Sequence, residues 1–189
     1  MELRQRLYDV DDVWELAHHH ENDNKHIELI DGDLIEMVPP GGEHGEFSLN
    51  LGSFIRAYVR EHNLGRATVE TGYHPPDNRQ TLLSPDVAFI SRERAPNPFP
   101  KRFVPIMPDL AVEILSPTDT IGKAREKAEI YLNSGTKLVW IVQPETLSVE
   151  TLSLTEGSGI RREVYGPDAA LSGEDVLPGF TLEVRLIFE

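Results

Sequence analysis

The feature that most constrains this chain is the run Asp109-Leu110-Ala111-Val112-Glu113-Ile114-Leu115. It is apolar at both odd and even positions, so it predicts a strand buried on both faces, at the centre of a sheet covered by helices. Ser116-Pro117 ends it. A helix follows from about residue 119 to 133, with Ile121, Ala124, Ala128, Tyr131 and Leu132 on one side and Gly135 as its stop. Leu138-Val139-Trp140-Ile141-Val142 is then a second buried strand. Strand, helix and strand in so few residues imply a right-handed crossover between parallel strands.

Elements of other kinds flank this unit, so the expected class is α/β with a mixed sheet. Asp11 or Asp12 caps a short amphipathic helix carrying Val13, Trp14, Leu16 and Ala17. Residues 27–30 and 34–38 flank Asp31-Gly32, a dipeptide suited to the positive φ of a hairpin turn. Phe47, Leu51, Phe54, Ile55, Tyr58 and Val59 form one helical stripe between residues 43 and 63, with Gly65 as the stop. Residues 67–73 and 85–90 read as strands, and residues 92–108, with five prolines, as a loop. Strands at 147–154, 160–165 and 181–188 finish the sheet or form a small β appendage. No linker divides the chain, which reads as one domain over residues 1–189.

Eighteen Lys and Arg face 32 Asp and Glu, a formal charge of −14. That balance argues against a broad basic surface for non-specific nucleic-acid binding, although a local metal site can bridge to phosphate. With no cysteine in the chain, any metal must use oxygen or imidazole ligands. No apolar run is long enough to span a membrane, and residues 1–12 lack the apolar core of a signal peptide, so a cytoplasmic, non-membrane protein is expected.

Acids inside apolar strands are the chemical signal. Glu113 interrupts the central run, Asp86 heads the strand at 85–90, and Glu28 lies inside the hairpin. An isolated buried carboxylate costs several kcal/mol unless paired or bound to a cation. Three converging carboxylates raise one another's pKa, and a divalent cation removes that conflict.

In order and spacing, several segments resemble the Uma-two family of bacterial nucleases, of the restriction-endonuclease-like PD-(D/E)XK superfamily. They are Glu28-Leu29-Ile30-Asp31-Gly32, His44 at a helix start, Ser84-Pro85-Asp86-Val87 and Val112-Glu113-Ile114-Leu115-Ser116-Pro117. Lys127 with Tyr131, Val139-Trp140-Ile141-Val142 and Leu177-Pro178-Gly179-Phe180 complete the set. The resemblance runs from about residue 10 to the C-terminus. It implies a restriction-endonuclease-like core with flanking helices and extra C-terminal strands, and a Mg²⁺-dependent phosphodiester hydrolase acting on nucleic acid. Asp86 and Glu113 would hold Mg²⁺, for which Mn²⁺ substitutes, and Glu28 would help directly or through water. The orthodox motif has a lysine two residues after the second acid, where this chain has Leu115. A resembling subset carries that lysine on the next helix, at the position of Lys127, with Lys123 one turn before it. Such enzymes pair to cut two strands, which implies a homodimer.

Weaker candidates are His44, as a phosphate or metal-water contact, and His18, His19, His20 and His26 as transition-metal ligands. Arg92, Arg94, Lys101 and Arg102 make residues 92–108 the only locally basic loop, a candidate phosphate contact, while Tyr131 reads as core. Leu115 and the acidic balance leave two rivals: an inactive member of the fold serving binding or assembly, and a hydrolase of small phosphorylated metabolites.

Overall fold

A computed structural model describes residues 6–18, 26–157 and 159–189. Helix α1 (Val10–Ala17) is capped by Asp9, whose side chain accepts the N–H groups of Asp11 and Asp12 while Asp12 bonds back to Asp9 N–H. The expected caps Asp11 and Asp12 are thus first-turn residues, because the reciprocal capping box forms one position earlier. Strands β1 (His26–Ile30) and β2 (Asp33–Met37) pair antiparallel about Asp31 and Gly32, with φ 52° and 85°. Helix α2 (Gly42–Glu61) buries Phe47, Leu51, Ile55 and Val59, whereas Phe54 stays largely exposed.

Asn63, at φ 55°, ends α2 where Gly65 was expected to. Its N–H donates to the Arg60 carbonyl and that of Leu64 to the Val59 carbonyl, the paired bonds of a Schellman turn. Gly65 instead opens β3 (Gly65–Val69), where a Cβ would lie 2.0 Å from the Ile90 carbonyl oxygen. That strand ends at Val69 rather than continuing to Tyr73, because Glu70 turns left-handed at φ 46°.

β4 (Val87–Ser91), β5 (Leu110–Ile114), β6 (Leu138–Gln143), β7 (Ser148–Leu154) and β8 (Ile160–Tyr165) complete a six-stranded sheet in the order β3-β4-β5-β6-β7-β8. Only β5 and β6 are parallel, joined through α3 (Ile121–Asn133), as the apolar runs required. Thr120 caps α3 and Gly135, at φ 108°, closes it with a second Schellman turn. β9 (Ala170–Ser172), unforeseen in the sequence, pairs with β10 (Thr181–Glu183) in a separate two-stranded sheet. Residues 184–187, expected as strand, form a 3-10 turn that packs on α2.

The alternation of the strands divides the core. Val87, Phe89, Leu110, Val112 and Trp140 pack with α2 on one face. Ala88, Ile90, Ala111, Val139 and Ile141 pack with Ala124, Ala128, Tyr131 and Leu132 of α3 on the other. The hairpin is held to the body by reciprocal backbone bonds between Leu29 and Leu82, at 2.8 and 2.7 Å.

Asp109 anchors the centre. Its Oδ2 accepts Ser91 N–H at 2.8 Å, and its Oδ1 meets Arg94 at 2.8 Å and Lys137 at 2.9 Å. Burial works against its charge, but Ser91 N–H, Lys137 and Arg94 outweigh it and hold the carboxyl below its ordinary value of 3.8. A depressed carboxyl contributes stability above its unfolded pKa and loses it as pH falls through the folded value. Replacing Asp109 by Ala is therefore expected to destabilise the fold by about 3 kcal/mol near neutral pH. Urea titrations across pH check this: the gap to wild type holds above pH 3.8 and narrows below it.

Candidate active site

Register brings the acids together. Val69 lies beside Val87, and Val87 beside Val112. One step further along the same end of the sheet, Glu70 flanks Asp86 and Asp86 flanks Glu113, and Glu70 N–H points at the Asp86 carbonyl at 3.4 Å. Glu113 shares the parity of Ala111, so its side chain faces α3. There Lys127 lies one turn after Ala124 and one turn before Tyr131, on the helix's inner stripe.

The contacts are short. Lys127 Nζ is 2.8 Å from Glu113 Oε2 and 3.0 Å from Glu28 Oε1. Tyr131 OH donates to Glu113 Oε1 at 2.7 Å, so the ring that reads as core also carries a polar contact to the acid. Glu28 is 2 % exposed, and its Oε1 also accepts Ser84 N–H at 2.7 Å, a consequence of the Leu29–Leu82 pairing beside it. Asp86 Oδ2 accepts Ile114 N–H at 2.6 Å and lies 3.3 Å from His44 Nε2 in the first turn of α2. The structure thus gathers Glu28, His44, Asp86, Glu113 and Lys127 at one end of the sheet. Lys123, one turn earlier on α3, is outside these contacts.

Electrostatics record the crowding. Burial pushes the Glu113 carboxyl up to about 8; Lys127 opposes this, and Asp86 and Glu28 add to it. For Lys127, burial disfavours the charge, but Glu113 and Glu28 outweigh it and raise its pKa, so it holds its proton. The hydrogen bond to Asp86 raises His44 and favours imidazolium, against burial, which lowers it.

Glu70 is the acid that sequence reading missed. Partial burial and then Asp86 raise its carboxyl, and His26 Nδ1 lies 3.5 Å from its Oε2. In Thr68-Val69-Glu70-Thr71 it looks like any solvated strand acid, and only the pairing with β4 reveals its place. The histidine run does not gather as a metal site among the described residues. His18 stacks on Trp14 at 4.1 Å, His26 faces Glu70, and His19 and His20 lie outside the described residues.

The donor set is of carboxylates and one imidazole, with no thiol, as hard divalent cations prefer. Four carboxylates, those of Glu28, Glu70, Asp86 and Glu113, face the ammonium of Lys127 and the imidazole of His44. With all six groups charged the cluster carries two excess negative charges, which one divalent cation balances. In the present rotamers Glu28 and Glu113 turn toward Lys127, and no three acids or histidines among the described residues form a ready cage.

The family profile Uma2, described as "Putative restriction endonuclease", matches residues 11–185. The chain belongs to the Uma2 (Uma-two) family. No curated protein matches it. Among solved structures, one described as a "putative nuclease belonging to DUF820 from Anabaena variabilis ATCC 29413" has 23 % identity and a TM-score of 0.80. The alignment covers 95 % of this chain and 97 % of that one, and it establishes a shared fold. The restriction-endonuclease-like core, with a mixed sheet, flanking helices and extra C-terminal strands, is therefore the architecture of this Uma2 protein. Among the described residues no helix is long and apolar enough to cross a membrane.

Because Lys127 neutralises Glu28 and Glu113 together, Lys127→Met is expected to destabilise the protein by about 3 kcal/mol. Adding Glu28→Gln, which removes the other carboxylate that Lys127 contacts, should recover at least about 1 kcal/mol of that loss. A double-mutant cycle by chemical denaturation measures this; strictly additive effects would contradict the contacts.

Proposed function

We propose that this Uma2 protein is a Mg²⁺-dependent phosphodiesterase that hydrolyses nucleic acid at the cluster of Glu28, Asp86, Glu113 and Lys127. The observation that carries this reading is the meeting of Asp86, at the entry of β4, and Glu113 of β5 with a helix-borne ammonium, on a restriction-endonuclease-like sheet. Asp86 and Glu113 are the metal ligands in this reading, and Glu28 assists directly or through water. A bound Mg²⁺, or Mn²⁺ in its place, would lower the pKa of the attacking water and offset charge on the departing oxygen.

The chain's own groups divide the remaining work. Lys127 keeps its proton, so it acts as a donor that orients the water and balances charge on the phosphoryl oxygens, rather than as the base. Tyr131 and Glu28 hold that ammonium and the Glu113 carboxylate in place. His44, whose charged form the Asp86 carboxylate favours, is a second donor available to a phosphate oxygen. The water oxygen forms the new bond to phosphorus, the bond to the leaving oxygen breaks, and the water's proton passes to a carboxylate or to solvent. Leu115 in the orthodox lysine position does not favour an inactive protein, because an ammonium reaches Glu113 at 2.8 Å from α3 instead.

Calorimetric titration of Mn²⁺ and Mg²⁺ is expected to show one saturable site in wild type that vanishes in Asp86→Ala. With a cleavable polynucleotide and Mn²⁺, Glu113→Gln should abolish turnover and Lys127→Met should lower kcat by about 10²- to 10⁴-fold. Retained cleavage in both Asp86→Ala and Glu113→Gln would refute the assignment.

A further inference from the structure

The chain has an acidic excess of 14 charges, and most of its described arginines are paired with carboxylates. Arg6, Arg79, Arg94, Arg102, Arg125, Arg161, Arg162 and Arg185 pair with carboxylates, and Arg92 bonds the Asn63 carbonyl. The basic loop that the sequence marked as a phosphate contact is thus largely committed within the fold. Arg92 holds the α2 turn, Arg94 holds Asp109, and Arg102 lies between Asp11 and the Trp14 ring.

Among the described residues Arg92 has only the Asn63 carbonyl, and three arginines have neither a carboxylate nor a carbonyl partner; these three share one place. Arg56 and Arg60 sit one turn apart on the exposed side of α2, and Arg66, turned to the opposite face of the edge strand β3 by its register with Ile90, borders the same opening at the sheet edge. Together with Phe99, whose ring lies 4.8 Å under the Arg66 guanidinium, they line a cavity of about 250 Å³ between helix and strand. Like charges at i and i+4 repel each other, and a third cation across the cavity adds to that cost. Nothing in the described fold offsets it, which is the condition an anionic ligand relieves.

The groove also leads somewhere. A second cavity, lined by Ser48, Gly52, Ser53, Thr68 and Val69, shares Arg56, Ala67 and Thr68 with the first. Ser48 hydrogen-bonds the His44 carbonyl at 2.8 Å, and Val69 immediately precedes Glu70. From Arg60 to His44 the helix covers 16 residues, or about 24 Å at ~1.5 Å per residue. At a rise of ~3.4 Å per phosphate along the axis of a duplex, that length accommodates roughly seven nucleotides of one strand, and fewer of an extended single strand.

We propose that the α2–β3 groove, with Arg56, Arg60 and Arg66, is the track that holds the phosphodiester backbone of a nucleic-acid strand leading to the acid cluster. This rests on the nuclease reading for the far end of the track, but it makes its own claim about binding. Ser53 supplies a neutral donor between the arginines and the site, and the Arg66–Phe99 pair presents a flat face for a base at the outer end.

The test is fluorescence anisotropy in EDTA, with labelled single-stranded DNA, single-stranded RNA and duplex DNA of roughly 12 units. Wild type is compared with Arg56→Ser/Arg66→Ser, with Arg60→Glu, and with Arg162→Ser/Arg185→Ser as a control of equal charge change. Thermal melts confirm that each is folded. The groove double variant is expected to bind at least about 5-fold more weakly at 0.1 M salt, and its log–log salt slope to fall by roughly 1.4 for a single strand. The control should change neither quantity by a comparable amount, and the three probes report which strand type the track accepts. Equal weakening by control and groove variants, or no binding of any probe by wild type, overturns the proposal.

Hydrolysis of bis(4-nitrophenyl) phosphate with Mn²⁺ separates the two readings, because this substrate is too small to use the track. Turnover with arginine-independent binding refutes the track alone. Arginine-dependent binding with no turnover of either the small substrate or the polymers upholds the track and refutes the hydrolase.

Discussion

The ammonium of Lys127, 2.8 Å from Glu113 and 3.0 Å from Glu28, is the contact on which the site depends. Each of the three groups comes from a different layer: the crossover helix, the central strand and the N-terminal hairpin. Without the cation, two carboxylates would be buried side by side, which costs several kcal/mol and pushes them toward their neutral forms. With it, α3 is pinned over β5 and the hairpin is drawn against residues 82–84, where the Leu29–Leu82 bonds and Ser84 N–H complete the attachment. The same arrangement leaves a net negative cluster, so the interaction that organises the fold also produces a demand for further positive charge.

Much of this was legible because burial leaves strong marks in sequence. A strand apolar at both parities has only one place in a sheet, and the following helix and second apolar run set the parallel crossover. Glu113 and Asp86 stood out because they interrupt such runs. Asp31-Gly32 and Gly135 marked their turns because few residues tolerate positive φ. The misses have an equally physical source. Glu70 acquires meaning only through its register with Asp86, and the Tyr131 hydroxyl only through the side of α3 that faces Glu113. Asn63 took the left-handed position expected of Gly65 because asparagine also tolerates it, and that freed the glycine for a close strand contact. β9 is too short to leave a period, and residues 184–187 alternate like a strand until packing on α2 tightens them into a 3-10 turn.

Net charge was the least informative global quantity. A total of −14 describes the far field, whereas a ligand at a groove meets the charges within about one Debye length, ~8 Å at physiological ionic strength. Most acids of this chain that lie near an arginine are paired with it, so their local contribution is small. The three arginines of the α2–β3 groove, spread over Arg56 to Arg66, form no basic run in sequence and escape notice there. They become a feature only when helix and edge strand bring them to one cavity. The loop at 92–108 shows the converse, a basic run whose charges are mostly consumed by its own fold.

Placing the lysine on α3 rather than on β5 changes what controls it. A lysine two residues after Glu113 on the same strand would project from the same face of the sheet, its position set by the strand alone. Lys127 instead reaches Glu113 across the seam between sheet and helix, so its position follows the packing of Ala124, Ala128 and Tyr131 against Ala88, Ala111 and Val139. Alanines at that seam let α3 approach the sheet closely enough for a hydrogen bond at 2.8 Å, and Leu115 is free to end the strand with an ordinary backbone bond to Val142. A larger side chain at Ala128, which is fully buried, would lift the helix and lengthen the Lys127–Glu113 contact while leaving Glu113 on β5 and Asp86 at the entry of β4. In this protein the geometry of the candidate site is therefore coupled to helix packing, where the orthodox arrangement would couple it to strand register.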